Sequence, residues 1–453
     1  MTLLEAMEID KKESIFADES VGRILRRIAP PVMLSQLIQA LYNVVDSFFV
    51  GRYSHDALTA VTVVYPVQFI IVALAVGTGV GLNTYMARKY ALGQPEKAEA
   101  AAGTGTLLAL GSWLLFAAIS FLIMPAYVRT SASEPGAVEQ AIVYGRIVCA
   151  CGVGTFLESC WSKVLQARGN MKLPTIAQIA GALTNVVLDP LLIFGVGPFP
   201  EMGIAGAAWA TVIGQCVSAL IVGLHGWHRP PKLRELPHYA KRIYRYGYSS
   251  ILQQSLYTVY IIILNVILAG FSDAAVTVLG LYYKLQSFFF IPLFGLSTCI
   301  VPMLSFNCAR RSFDRCRRTM RETFLISAAF MLVGTACFVG LPEQLVRLFS
   351  DSRQVIDIGR VAFPIIGTSF FSAVFSLSLP TFFQAIGSGV KSILLSLTRQ
   401  IFVLVPVFWA MSKIGVNYTW IAFPVAETVA GAVGLLLYRR QLRLWRCLKP
   451  RRR

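Results

Sequence analysis

The sequence predicts an all-α polytopic membrane protein: twelve transmembrane helices in two six-helix bundles related by a pseudo-two-fold axis along the membrane normal. Three observations predict it. Of 453 residues, 56% are hydrophobic and only 14% charged, where a soluble protein carries about 25% charged residues; the mean hydropathy is +0.63. Apolar stretches matching the roughly 20 residues needed to cross a bilayer recur along the whole chain. The second half also repeats motifs of the first.

The first six spans fall at about 28–50, 58–84, 102–125, 141–167, 174–196 and 203–224. After the connector "HGWHRPPKLRELPHYAKRIYRYG" come six more, at about 247–270, 276–305, 322–341, 356–385, 391–412 and 418–438. Tilt accommodates the longer ones. The domain reading is a tail (1–24), an N-terminal lobe (25–224), a connector (225–246), a C-terminal lobe (247–438) and a basic tail (439–453). Residues 1–20 are polar and acidic with no apolar core, so a cleavable signal peptide is not expected.

The net charge of +18 is concentrated in the even-numbered connections: Arg88, Lys89 and Lys97; Arg168 and Lys172; Arg229 to Arg245; "ARRSFDRCRRTMR"; and Lys391. The odd-numbered ones are poor in basic residues. By the positive-inside rule both termini are cytoplasmic. This distribution argues against a nucleic-acid partner. The tail "RRQLRLWRCLKPRRR" is a topology determinant and could also touch anionic lipid headgroups.

"QALY" at 39–42 recurs as "QSLY" at 254–257; "YPVQ" at 65–68 recurs as "YKLQ" at 283–286, and "LQARG" at 165–169 as "FQAIG" at 383–387. The offset is nearly constant across the three. Two parallel repeats commonly place a substrate between the halves and alternate access by rocking. The repeat also isolates what is extra in the first half. Asp46 is the only charged residue among the 24 between Arg27 and Arg52, at a depth where a carboxylate costs roughly 2.5–3.5 kcal/mol on insertion scales. Its repeat counterpart is about Ile261. Gln39, Asn43 and Asp46 form one polar stripe. In the fifth span, "IAGALTNVVLDPLLIFGVG", Asn185 and Asp189 share a helix face. Pro190 denies the Val186 carbonyl its usual partner. The counterparts here are about Val403 and Val407. The sixth span adds Thr211 within "GAAWATVIGQ", whose small residues let helices approach closely.

The nine cysteines lie mostly in apolar segments and read as small buried residues. The four histidines are placed in loops; His225 and His228 alone are a weak metal pair. No phosphate-binding loop, HExxH or GxSxG motif is present, so an enzyme is not expected.

Together, "PPVMLSQLIQALYNVVDSFFVG", "LQARGNMKLP", "NVVLDPLLIFGVG" and "GIAGAAWATVIGQ" resemble the multidrug and toxic compound extrusion (MATE) transporters over about residues 25–440. The resemblance implies cation-coupled antiport, with sodium or protons entering and an organic, often cationic, compound leaving. It implies a cation site at Asp46, Asn185, Asp189 and Thr211, and polar family positions at Gln39, Ser159 and Ser162. The seventh and tenth spans, "SSILQQSL" and "SLSLPTFFQAIG", lack the carboxylates that some members carry, which points to the DinF-like bacterial branch.

On the residues alone, Asp46 and Asp189 are either a structural contact between helices or a pair that binds a proton or sodium. Lys163 and Arg399 either snorkel to the interface or do not. Lys284 and Glu427 either pair, or Glu427 meets a cationic substrate. The candidate substrate lining is Gln39, Tyr42, Asn43, Ser159, Ser162, Gln253, Gln254, Tyr257, Gln286 and Glu427. The expected protein is a monomeric exporter of drug-like compounds in a bacterial plasma membrane, contacting lipid, with no cofactor beyond sodium or a proton as coupling ion. The alternative is a lipid-linked oligosaccharide or lipid flippase of the same superfamily. It is disfavoured because the clearest buried polar group is anionic. A channel, sensor or membrane enzyme ranks lower still.

Overall fold

The computed structural model describes residues 16, 19–131, 134–350 and 352–447, and among them there is no strand. Most of the predicted N-terminal tail and the last basic residues, 448–453, lie outside the described residues. Among the described residues, eleven helices are long and apolar enough to cross a membrane, and a pair bent by 58°, counted as one span, makes twelve.

One compact unit runs to Ile251 and the other from Leu252. In the N-terminal lobe the helices are α1 (Val21–Tyr53), α2 (His55–Ala91), α3 (Pro95–Ser131), α4 (Pro135–Ala150), α5 (Val153–Ala167), α6 (Lys172–Ile193) and α7 (Ile204–Gly226). Helices α4 and α5 form one span across a short break at Cys151 and Gly152. Helix α8 (Leu236–Ala269) leads into the C-terminal lobe. There follow α9 (Asp273–Phe289), α10 (Ile291–Ala309), α11 (Phe313–Gly340), the short α12 (Pro342–Arg347), α13 (Arg353–Gly367), α14 (Phe370–Ala385) and α15 (Gly389–Leu397). A π-helical stretch, Thr398–Leu404, continues into α16 (Val405–Ser412); the single turn α17 (Val416–Thr419) and α18 (Ala422–Cys447) complete the lobe.

The repeat seen in the motifs extends to the backbone. The helix starts His55 and Asp273, Pro95 and Phe313, Pro135 and Arg353, and Ile204 and Ala422 are all separated by one and the same interval along the chain. Gly169 and Gly387, at that interval too, both have φ of 83°. Gly93 (φ 64°) is matched by Arg311 (φ 56°), a left-handed position held without glycine. An equivalent turn thus overrides local preference in the second lobe.

Besides the fourth span, split between α4 and α5, two predicted spans of the C-terminal lobe are broken near their middles. The eighth, expected as one helix over 276–305, divides at Phe290 into α9 and α10. Pro292 at the start of α10 lacks an N–H and suits a helix N-terminus; the first lobe has Leu74 at the equivalent place and a continuous helix. The tenth, expected as continuous over 356–385, bends by 58° between α13 and α14, just after Pro364. The breaks pack on each other: the Phe290 and Phe370 rings are 5.0 Å apart.

The second half of the connector is helical. Helix α8 begins at Leu236, so His238 is helical. His225 lies in the last turn of α7, and His55 is the first residue of α2; none of the three is a loop residue. His228 is hydrogen-bonded to the Arg168 guanidinium and to the Gly226 carbonyl. Burial, then the adjacent Arg168 charge, hold its imidazole below the usual histidine range, so it accepts from the arginine at neutral pH. No group of three or more metal-ligating side chains occurs among the described residues.

Candidate functional site

The N-terminal lobe gathers its polar side chains where α1, α6 and α7 pack. Glycines allow the α6–α7 approach: a Cβ on Gly181 would sit 2.6 Å from the Gly214 carbonyl, and one on Gly214 would meet the Gly181 carbonyl at 2.6 Å. One turn further along α6, Asn185 is therefore close enough to reach Thr211. Its amide satisfies both neighbours when Nδ2 donates to Asp189 Oδ2 at 3.2 Å and Oδ1 accepts from the Thr211 backbone N–H at 3.1 Å. Asp189 is fully buried, and Asn185 and Thr211 nearly so.

Asp46 completes the group from α1. Its carboxyl is within hydrogen-bonding reach of that of Asp189, and its Oδ1 is buried with no partner. No Lys or Arg forms an ion pair with either carboxylate among the described residues. The four residues selected from the sequence thus converge from three helices. Two carboxylates, an amide and a hydroxyl are hard donors, suited to sodium, and the carboxylates alone suffice for a proton.

The structure adds a residue that sequence reading missed. Tyr144 of α4 is buried within electrostatic reach of Asp46, Tyr42 and Asp189, and its hydroxyl accepts from Gln68 Nε2 of α2 at 3.5 Å. Tyr42, one turn before Asp46, faces both carboxylates, with Tyr65 adjacent. Nothing distinguished Tyr144 from the other tyrosines, because its partners are distant in the chain.

The remaining candidates are dispersed. Gln39 and Asn43 are exposed on α1. Ser159 is buried where α5 meets Gly79 of α2. Ser162 donates to Glu158 at 2.7 Å, and Gln178 approaches the same oxygen at 3.4 Å. Lys163 donates to Gln166 at 2.9 Å. In the other lobe, Gln253 donates to Ser392 at 2.8 Å, Gln254 and Tyr257 are half-buried, and Gln286 is buried.

Two expectations for the C-terminal lobe are corrected. Glu427 does not pair with Lys284, which is exposed. Its partner is Arg399, at 2.8 Å, and Ser376 bonds its other oxygen. Arg399 therefore does not snorkel: its side chain is 11% exposed and that of Glu427 9%. With both oxygens engaged, Glu427 is not available to a cationic substrate. Ile261, Val403 and Val407, opposite the acidic set in the repeat, pack against the lobe's apolar core.

Solved transporters share this fold. A MOP superfamily transporter from Pyrococcus furiosus superposes with a TM-score of 0.89 at 24% identity, covering 96% of this chain and 99% of that one. A multidrug resistance MATE family transporter in its outward-facing conformation gives 0.89 at 23%, with the same coverage. In sequence, the chain is 24% identical over 432 residues to a protein of Shewanella oneidensis described as an FAD transporter, covering 91% of this chain and 93% of that protein. It is 23% identical over 435 residues to the probable multidrug resistance protein NorM of Thermotoga maritima, covering 92% of each. The MatE family model matches residues 31–191 and again 249–409, once per lobe. With both halves of the repeat matched, the chain belongs to the MATE family, whose members are transporters and not enzymes.

Proposed function

We propose that the chain is a secondary active antiporter that exports organic, cationic or amphipathic compounds across a bacterial plasma membrane in exchange for sodium or protons. The observation that carries this reading is the pairing of half-buried Asp46 with fully buried Asp189, which no Lys or Arg among the described residues neutralises. Two carboxylates in contact within an apolar bundle repel unless a proton or metal ion joins them. The lobe therefore binds a cation as part of its working cycle. Relatives described as multidrug export proteins, including MepA of Staphylococcus aureus at 21% identity over 446 residues, support the substrate class. The Shewanella relative's flavin nucleotide is anionic, and the uncompensated buried charge here favours cations instead. The same charge weighs against a flippase of pyrophosphate-linked lipids.

Coupling needs only that drug and cation prefer different conformations. Cation binding draws Asp46 and Asp189 together and shifts α1 against α6. Drug affinity falls and the drug leaves outward; rocking of the lobes then delivers the cation inward. The positive-inside pattern orients both termini to the cytoplasm. The test is uptake into inside-out proteoliposomes with sodium and proton gradients imposed separately and fluorescent organic cations offered. Uphill transport driven by at least one gradient, and lost in Asp189→Asn, is expected. Transport indifferent to both gradients would refute the proposal.

A further inference from the structure

The C-terminal lobe has its own buried charged centre. Arg399 Nη1 lies 2.8 Å from Glu427 Oε1, both side chains are nearly excluded from solvent, and Ser376 bonds the second carboxylate oxygen. The ionisable groups that face this pair are the hydroxyls of Tyr260 and Tyr282, with Tyr257 and Tyr283 packed against them. Their rings form an edge-packed cluster with centroids 5.0–6.4 Å apart. The backbone that carries the arginine is also distinct. Arg399 lies in the π-helical stretch Thr398–Leu404, a rare geometry that concentrates at functional sites. The equivalent part of α6 is ordinary α-helix. The residue at the matching place in the repeat is Gly181, packed against the Gly214 carbonyl. Where the first lobe closes two helices on glycines, the second admits a guanidinium.

We propose that Arg399 is a built-in counter-cation: it occupies electrostatically the place that a transported ion takes in the N-terminal lobe, so the C-terminal lobe carries a carboxylate through the cycle without taking up an ion. The charge count carries the inference. Asp46 and Asp189 bring two negative charges that no Lys or Arg among the described residues pairs with, whereas Glu427 and Arg399 sum to zero. The inference rests on the reading of the N-terminal lobe as the coupling site. It goes further in assigning the limit on ion uptake to a named side chain. It predicts a latent second site: without Arg399, Glu427 must be neutralised by a proton or a metal ion from solution.

The test compares pH and sodium dependence of efflux in proteoliposomes for the wild type, Arg399→Met, Arg399→Lys and Arg399→Met/Glu427→Gln. Proton uptake by each purified protein is measured in weak buffer. Arg399→Met should gain about one proton per transporter and a further pH-dependent step in efflux. Arg399→Lys should keep the wild-type profile. The double variant, whose centre is neutral, should return to it. A merely structural pair would lower yield in Arg399→Met and leave its pH profile and proton count unchanged; that result overturns the proposal. If Arg399→Met does not reach the membrane, the double variant decides. Wild-type ion dependence supports the counter-cation role, and loss of ion coupling overturns it by placing the pair in the coupling path. Asp189→Asn, run in parallel, separates the two readings. If it stays coupled, the N-terminal assignment has failed whatever the Arg399 variants show.

Discussion

The two lobes are built on one backbone plan and charged on opposite principles. Their helices start at one constant interval along the chain, so the same scaffold positions Asp189 in one lobe and Val407 in the other. In the first lobe, acidic groups face each other and are linked only by neutral donors. In the second, the one buried acid among the described residues holds an arginine. A lobe of this kind therefore does not require a carboxylate pair between its helices. Both lobes carry the cost of burying charge, but in the second the arginine offsets it through its ion pair, whereas in the first no such partner is found among the described residues.

The comparison is broken most severely at the carboxylates. Asp46→Asn and Asp189→Asn should each reduce gradient-driven efflux by roughly 100-fold, the upper range of an allosteric coupling free energy. Folded yield should stay near normal, because each removes a buried charge. Efflux at matched membrane expression measures it. Near-normal coupling in either variant would put the cation site elsewhere.

The second lobe's charges should show up in stability. Glu427→Gln leaves Arg399 buried without its counter-ion and should cost about 3–5 kcal/mol. Replacing Arg399 and Glu427 together by Met and Gln should cost far less, since the double change removes the charge along with its partner. Thermal unfolding in detergent reads both. Equal losses in the single and double variants would mean that packing, and not charge balance, is what the pair supplies.

Smaller changes sharpen the contrast. Val407→Asn puts an amide into the apolar core that Val407 helps to pack, so its expected cost is about 1–3 kcal/mol of stability with coupling intact. Collapse of coupling in this variant would reverse the assignment of roles between lobes. Tyr144→Phe deletes one hydroxyl beside the carboxylates. The loss of about 1 kcal/mol for a hydrogen-bonding group corresponds to a several-fold fall in cation affinity, read from the sodium and pH dependence of efflux.

Much of this was legible in the sequence, and the exceptions share a physical cause. Helix count, the repeat and the acidic set follow from hydropathy, spacing and the rarity of charge inside a span, all local properties. Asp46, Asn185, Asp189 and Thr211 were each conspicuous against an apolar background. Arg399 was equally conspicuous, but hydropathy does not tell which face of a helix a residue occupies, so snorkelling could not be separated from ion pairing. The partner of Glu427 was misread for the same reason: Lys284 and Arg399 are both cations on nearby spans, and only packing shows that Arg399 faces inward. Tyr144 was hidden because its significance lies wholly in partners from α1, α2 and α6. The break at Phe290 was foreshadowed by Pro292, yet an apolar run reads the same whether it forms one helix or two.

The smallest predicted effect tests the common plan. Ser54 and Ser272, equivalent in the repeat, are the N-cap residues of α2 and α9. Both are extended, with φ, ψ of −161°, 156° and −169°, 156°. Their hydroxyls accept from the backbone N–H groups of Ala57 at 3.0 Å and Ala275 at 3.2 Å. An acidic residue follows in each first turn, Asp56 and Asp273, where it complements the helix dipole. A cap of this kind contributes about 1 kcal/mol, and neither serine touches the buried charges of its lobe. Ser54→Ala and Ser272→Ala should therefore cost equal amounts, about 1 kcal/mol each, in paired thermal melts, with ion coupling unchanged in both. Equality would show that the lobes share their local energetics and differ only in where charge is placed. A large inequality, or altered ion dependence in Ser54→Ala alone, would show that the asymmetry reaches the ends of the helices and is not confined to the acidic set.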